Sequence, residues 1–294
     1  MSDSNKKLLQ RSHQIRGGVQ IPADEGFALA KQLADSQHFD AARRLAQYLI
    51  DSNNVDPKHA VKIRQQLALW ISKNPDAPDD SKHDEAIEVL DRIGKTEGSG
   101  HLAETSDPET LGIAGGILKR QWLVTGRRED LEQSLHFYQR GAAQGVARDN
   151  GYTAINAAFV HDLLGDNKAA RSLRVQVRDG LLAIRSEPAW DGGPPRETVR
   201  WFFETVAEAY FGLEDYDNAT VYLKRAYELE TPKPWELETT ARQFAWLARL
   251  IEPEVTTPEQ FAESEAWGVL HEVYGGNAVG AAPSLFAGKL GLAL

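Results

Sequence analysis

The side chains best suited to acid–base or metal chemistry are the eight histidines: His13, His38, His59, His83, His101, His136, His161 and His271. A metal pair on a helix needs ligands at i, i+3 or i+4, so that both leave the same face. No two of these histidines have that spacing. His83-Asp84-Glu85 and His161-Asp162 come nearest to ligand clusters, but adjacent residues on a helix point in different directions. Ser12-His13 has no acid to complete a triad, and no Gly-x-Ser-x-Gly elbow occurs. Gly112, Gly115 and Gly116 could suggest a phosphate cradle, which sits between a strand and a helix N-terminus. These glycines lie inside a helical pattern, where close helix packing explains them better. The residues therefore predict no catalytic site, no metal and no cofactor.

Charge and composition narrow the class further. Acidic residues outnumber basic ones 43 to 33, a net charge of -10. That disfavours a broad nucleic-acid-binding surface, which needs clustered Lys and Arg. The chain has no cysteine, which rules out disulfides and thiolate metal sites and fits a reducing compartment. The start, Met1 to Lys7, is not followed by the apolar run of a signal peptide. No stretch of about 18 apolar residues is present, so no membrane span is expected. The expected setting is cytoplasmic. A hydrophobic share of 41% across 294 residues is enough for a continuous core.

The elements that must position any functional residue are helical throughout. Period-two alternation is scarce, and Asn150-Gly151 and Asp191-Gly192 fall between helical patterns rather than between strands. Arg200 to Pro232 is the most regular segment. Phe203, Val206, Ala207 and Tyr210 mark one helix, Glu214 to Asp217 a turn, and Ala219, Leu223 and Ala226 a second helix closed by Pro232. This unit resembles a tetratricopeptide repeat, whose period is about 34 residues. One such unit cannot hide its apolar face alone, so neighbours are implied. Helix pairs are expected at 23–53 and 151–184, single helices after Pro57, around Ala86, Leu90 and Ile93, over 111–124 and 131–146, after Pro234, and through Trp267, Leu270 and Tyr274. The expected fold is all-α, a tetratricopeptide-repeat-like α-α solenoid of antiparallel helix pairs. Its expected divisions are a polar lead-in (1–22), N-terminal repeats (23–106), a repeat core (107–252), and a capping helix with an apolar tail (253–294).

In such a stack the first helix of each pair lines a groove that holds ligands. The repeat register places Lys119, Arg120 and Leu123 there in one unit, Tyr152, Ile155, Asn156 and Phe159 in the next, and Trp201, Glu204 and Glu208 in the best one. Lys119, Arg120 and Asn156 resemble part of the carboxylate clamp by which some repeats grip a peptide C-terminus. Glu204 and Glu208 would repel an acidic ligand nearby, and a solvated polar face is the competing explanation for each residue. Most of the seven tryptophans fall on apolar stripes. Trp190 is the exception, in a Gly/Pro loop, either as a lid on the core or as a contact residue. The expected partner is a protein or peptide, with the oligomeric state left open.

Two family resemblances extend this. Residues from about Pro108 to Leu250 resemble the TRAFs-binding domain of apoptosis signal-regulating kinases and of many bacterial repeat proteins. The residues that carry it are Glu109 to Gly115, Lys119 to Trp122, Leu131 to Tyr138, Tyr152 to Ala158, and Thr231-Pro232-Lys233-Pro234-Trp235. The resemblance implies an all-helical regulatory module and does not imply that TRAF proteins are its partners. Gly288 to Leu294 resembles the first strand of a patatin-like phospholipase, a family whose glycine-rich loop and Gly-x-Ser-x-Gly turn lie further on. That resemblance implies, as the alternative, the regulatory leader of a lipid acyl hydrolase whose catalytic residues are not in this chain.

Overall fold

The computed structural model describes residues 3–52, 55–79, 81–97, 102–189 and 192–274. His101, Trp190 and the Gly288–Leu294 tail lie outside the described residues, as do the side chains of Ile93 and Trp235. The chain divides into two compact units, Met1–Thr125 and Gly126–Leu294. This boundary falls inside the segment that the sequence groups as one repeat core. The first unit contains α1 (Asp3–Arg16), α2 (Ala23–Asp35), α3 (Phe39–Asp51), α4 (Pro57–Lys73), α5 (Lys82–Glu97) and α6 (Pro108–Thr125). The second contains α7 (Arg128–Ala142), α8 (Tyr152–Leu163), α9 (Asn167–Ala183), α10 (Arg200–Phe211), α11 (Tyr216–Leu229), α12 (Pro234–Ile251) and α13 (Pro258–Glu263). A further helix, α14, covers residues 265–274. Among the described residues there is no β-strand, and the fold is an all-α solenoid of antiparallel helix pairs.

Three of the helix pairs share one turn chemistry. At the end of α2, Gln37 takes a positive φ of 64°, and the His38 N–H donates to the Leu33 carbonyl at 2.8 Å. Gly165 (φ 84°) and Asp166 repeat this after α8, with Asp166 N–H donating to His161 O at 2.8 Å. Glu214 (φ 66°) and Asp215 repeat it after α10, with Asp215 N–H donating to Tyr210 O at 3.0 Å. This is the left-handed helix stop that satisfies the last carbonyls of one helix. Its final residue is also the first cap of the next helix. Asp166 and Asp215 accept from the N–H groups of Ala169 and Asn218. One residue thus ends one helix and starts the other, which fixes each hairpin as a tight antiparallel pair.

Packing completes the units. α2 packs on α3, α3 on α4, and α4 on α5, with α6 against both α4 and α5. The segment expected to be a polar lead-in contains α1, which packs on α2 and α3 through buried Ser12 and Ile15. Its apolar signal is too sparse to read as an amphipathic stripe. In the second unit α8 contacts α7, α9, α10 and α12. Every residue of α8 from Thr153 to His161 is buried, as is every residue of α6 from Thr110 to Leu118. A helix enclosed on all sides shows no polar face. Small residues let the axes come close. A Cβ on Gly141 of α7 would sit 2.5 Å from Thr153 Cγ2 and 2.9 Å from Thr153 Cβ. Two substitutions should therefore act in opposite directions in urea denaturation. Gly141→Ala forces α7 and α8 apart and should cost about 1–3 kcal/mol. Glu214→Gly relieves the left-handed strain and should gain about 0.5–1 kcal/mol.

Candidate functional site

Each unit contains a buried polar network built on the helices that the repeat register assigns to a groove. In the first unit, α6 enters with a capped start. Asp107 Oδ2 accepts from the Thr110 N–H at 2.9 Å and from Thr110 Oγ1 at 2.6 Å. Gln65 of α4 donates to both Asp107 and Thr110, at 3.1 and 2.9 Å. One and a half turns before the end of α6, Arg120 Nε donates to Ser72 Oγ of α4 at 2.8 Å. Ser72 Oγ in turn lies 3.2 Å from His83 Nδ1 of α5. The neighbouring Gln121 donates to Asp84 at 3.1 Å.

Ser72 accepts from a permanent cation, which leaves its own proton free to go to His83 Nδ1 in the tautomer protonated at Nε2. His83 is buried, and burial pushes its pKa down to about 4, with the positive charges of Arg120 and Lys82 adding to the shift against the opposing pull of Asp79 and Asp84. The trio resembles a serine–histidine dyad in composition only, because Ser72 and His83 are each 2% exposed and no substrate atom reaches them. It fastens α4, α5 and α6 together.

The second unit sets two large aromatic side chains at the surface. Tyr152, at the start of α8, is 41% exposed and lies edge-on to Tyr138 at 6.4 Å. Trp201, at the start of α10, is 49% exposed, with the Arg200 guanidinium 4.0 Å from its ring centre. Arg200 itself is buried. It donates to Glu204 Oε1 at 2.7 Å and to Glu236 of α12 at 3.0 Å, and its Nε lies 3.6 Å from Glu230. Glu208 accepts from Gln243 of α12 through both oxygens at 2.8 Å. Glu204 Oε2 is buried and has no hydrogen-bond partner. Burial, with help from Glu236 and Glu230 and against the pull of Arg200, lifts the Glu204 pKa to about 7.

The structure thus separates the residues that the repeat register groups. Tyr152 and Trp201 are at the surface, and Lys119, Arg120 and Leu123 are half-buried. Ile155 belongs to the core cluster with Val177, Leu181, Phe202 and Val206. Phe159 is buried, and Asn156 turns back to donate to the Tyr152 carbonyl at 2.9 Å. Glu204 and Glu208 lie beneath the surface because α12 packs on α10 and α8. Ser72 escapes sequence reasoning, and so do the tertiary partners of His83 and Arg200, which are distant in the chain. Among the described residues no three His, Asp or Glu side chains are placed to hold a metal ion, and no helix is long and apolar enough to cross a membrane.

The family model for Tetratricopeptide Repeats-Sensor (TPR-S) matches residues 38–161. Over those residues the chain is similar to the tetratricopeptide-repeat sensor family. That match spans α3 to α8. Among solved structures, a thermophilic tetratricopeptide-repeat protein of Thermus thermophilus, TTC0263, is 17% identical over 78% of this chain and 98% of its own, with a TM-score of 0.48. BtubC (BKLC) from P. vanneervenii is 14% identical over 92% and 94%, with a TM-score of 0.39. The TPR2AB domain of yeast Sti1, in a pHSP90 complex, is 12% identical over 91% and 98%, with a TM-score of 0.29. No curated protein sequence matches the chain.

The state of His83 gives the repeat stack a defined acid response. An unfolded histidine takes up its proton near pH 6.5 and the folded one only near 4. The unfolded state therefore binds more protons between these values, so stability is full above about 6.5 and falls as pH drops towards 4. The loss should approach about 3 kcal/mol, at roughly 1.4 kcal/mol per unit. Hydrogen exchange of α4, α5 and α6 between pH 4 and 7 should report it, and His83→Gln should flatten the slope. Arg120→Glu should loosen the same three helices at every pH.

Proposed function

We propose that this protein is a non-catalytic helical-repeat scaffold or regulatory module that binds a protein or peptide partner. The observation that carries this reading is Trp201. The surrounding helices bury most of their large apolar side chains, yet a tryptophan is held half in solvent against a buried guanidinium. Rigid, exposed aromatic side chains are what interfaces use as anchors. Tyr152, braced by Tyr138, offers a second one from the first helix of the preceding pair. Both stand at the positions the repeat register assigns to a ligand-facing side. Lys119, Arg120 and Leu123 are the corresponding candidates in the first unit, with Arg120 also bonded to Ser72. Asn156, Phe159, Glu204 and Glu208 shape the helices from beneath the surface.

The test begins with crosslinked pull-down from the native host and continues with calorimetry on the captured partner. Trp201→Ala and Tyr152→Ala should each weaken binding by about 1–2 kcal/mol, roughly tenfold, while leaving the unfolding midpoint within about 0.5 kcal/mol of the parent. Lys119→Glu reports separately on the first unit. Affinity unchanged by both aromatic substitutions would remove the second unit from the binding surface.

A further inference from the structure

The α10–α12 seam holds one guanidinium and four carboxylates. From α10 come Arg200, Glu204 and Glu208. Glu230 follows the end of α11, and Glu236 lies in the first turn of α12. Tyr227 of α11 and Tyr274 of α14, hydrogen-bonded to each other at 3.1 Å, add neutral phenols whose ionisation is pushed up by burial. The other buried or half-buried basic side chains of this unit are committed elsewhere. Arg174 of α9 is bonded to Asp162 of α8 and to the Gly212 carbonyl. Arg196 directs its guanidinium to Asn150 and to the carbonyls of Ala147, Glu187 and Pro188. Arg178 lies over Tyr210 and bonds Asp179, and His161 is shared between Gln139 and Asp166.

Arg200 cannot balance Glu204, Glu230 and Glu236 together. Glu230 is largely in water and solvates its own charge. Glu236 has a second donor in the Lys233 N–H at 3.0 Å. Glu204 has neither relief, for Arg200 reaches only its Oε1, while Oε2 is buried without a partner. An ionised carboxylate there leaves a share of negative charge desolvated and unpaired. A neutral carboxyl leaves only one unmet hydrogen bond, which costs far less.

We propose that this seam is a proton-operated latch: Glu204 carries a proton while α12 is docked on α10, and loss of that proton loosens α12. The element it releases is separable. α12 follows Thr231-Pro232-Lys233, opens on Pro234 and is followed by Pro253, so its ends are set by proline rather than by continuing helix. Loosening α12 frees Glu208 from Gln243 and Arg200 from Glu236. That changes the support beneath Trp201. The proposal needs no partner and stands apart from the binding role.

Hydrogen exchange of α12 peptides in the full chain, corrected for intrinsic rate, tests it between pH 4.5 and 8.5. With Glu204 titrating near 4.5 when freed and near 7 when docked, the opening constant should rise about tenfold per unit across that interval and level off above it. The full rise should be about three-hundredfold. Glu204→Gln should keep α12 protected with no such slope. Glu230→Gln, a surface change that threatens no packing, should move the levelling point to lower pH. An α12 protection that is flat with pH in the parent protein overturns the latch. So does a slope that survives in Glu204→Gln, or a levelling point unmoved by Glu230→Gln.

Discussion

Enclosure of the inner helices is the constraint on which this structure turns. A helical hairpin has two apolar faces and can hide only one by itself, so hairpins stack, and the helices in the middle lose their contact with water on almost every side. α8 is buried without a break from Thr153 to His161, and α10 is buried at Arg200, Phe202, Glu204 and Val206 to Ala209. Any polar side chain on such a helix must find its partner inside the protein. Residue types that would do chemistry in an open cleft are consumed here by that requirement. Serine, histidine and arginine meet at Ser72, His83 and Arg120, and the outcome is a fastening between three helices.

The two networks solve opposite electrostatic problems. In the first unit Arg120 brings a fixed positive charge, and His83 accommodates it by staying neutral. In the second unit the carboxylates exceed the cations, and Glu204 is pushed towards its neutral form. Each network is one proton from a poorer arrangement, and the protons move in opposite senses as pH changes. Apolar side chains of similar volume would fill the same spaces without such demands. The polar versions add direction. Gln243 holds Glu208, and Arg200 joins the first turn of α10 to the first turn of α12, so both ends of that contact are set in register.

The elements were legible in the sequence because their signals are local. Pro57, Pro108 and Pro234 open helices, and Asp166 and Asp215 cap them. The apolar spacing from Phe39 to Leu49 and from Ala219 to Ala226 marks buried faces. The fold class follows from that much. The site was less legible, and the reason is physical. Repeat spacing states which side of a helix a residue occupies, but not whether a later helix covers that side. Glu204 and Glu208 stand where the register expects open surface, and α12 packs over them from some thirty-five residues further along the chain. His83 was read against its sequence neighbours Asp84 and Glu85, whereas its contacts come from Ser72 and Arg120. α1 was missed for the converse reason, since one isoleucine and one serine suffice to anchor it.

A shared fold does not by itself assign a role, and helical stacks with this geometry serve many. In this one Arg200 has two uses. A guanidinium buried beside an exposed tryptophan fixes the indole without hiding it. The ring therefore loses little further freedom on meeting a partner, which lowers the entropic cost of contact. The same guanidinium is the cation that the carboxylate-rich seam is built around. Whatever alters the charge on Glu204 alters the hold on Arg200, and through it the platform under Trp201. Stability and surface chemistry in the second unit thus meet at one side chain.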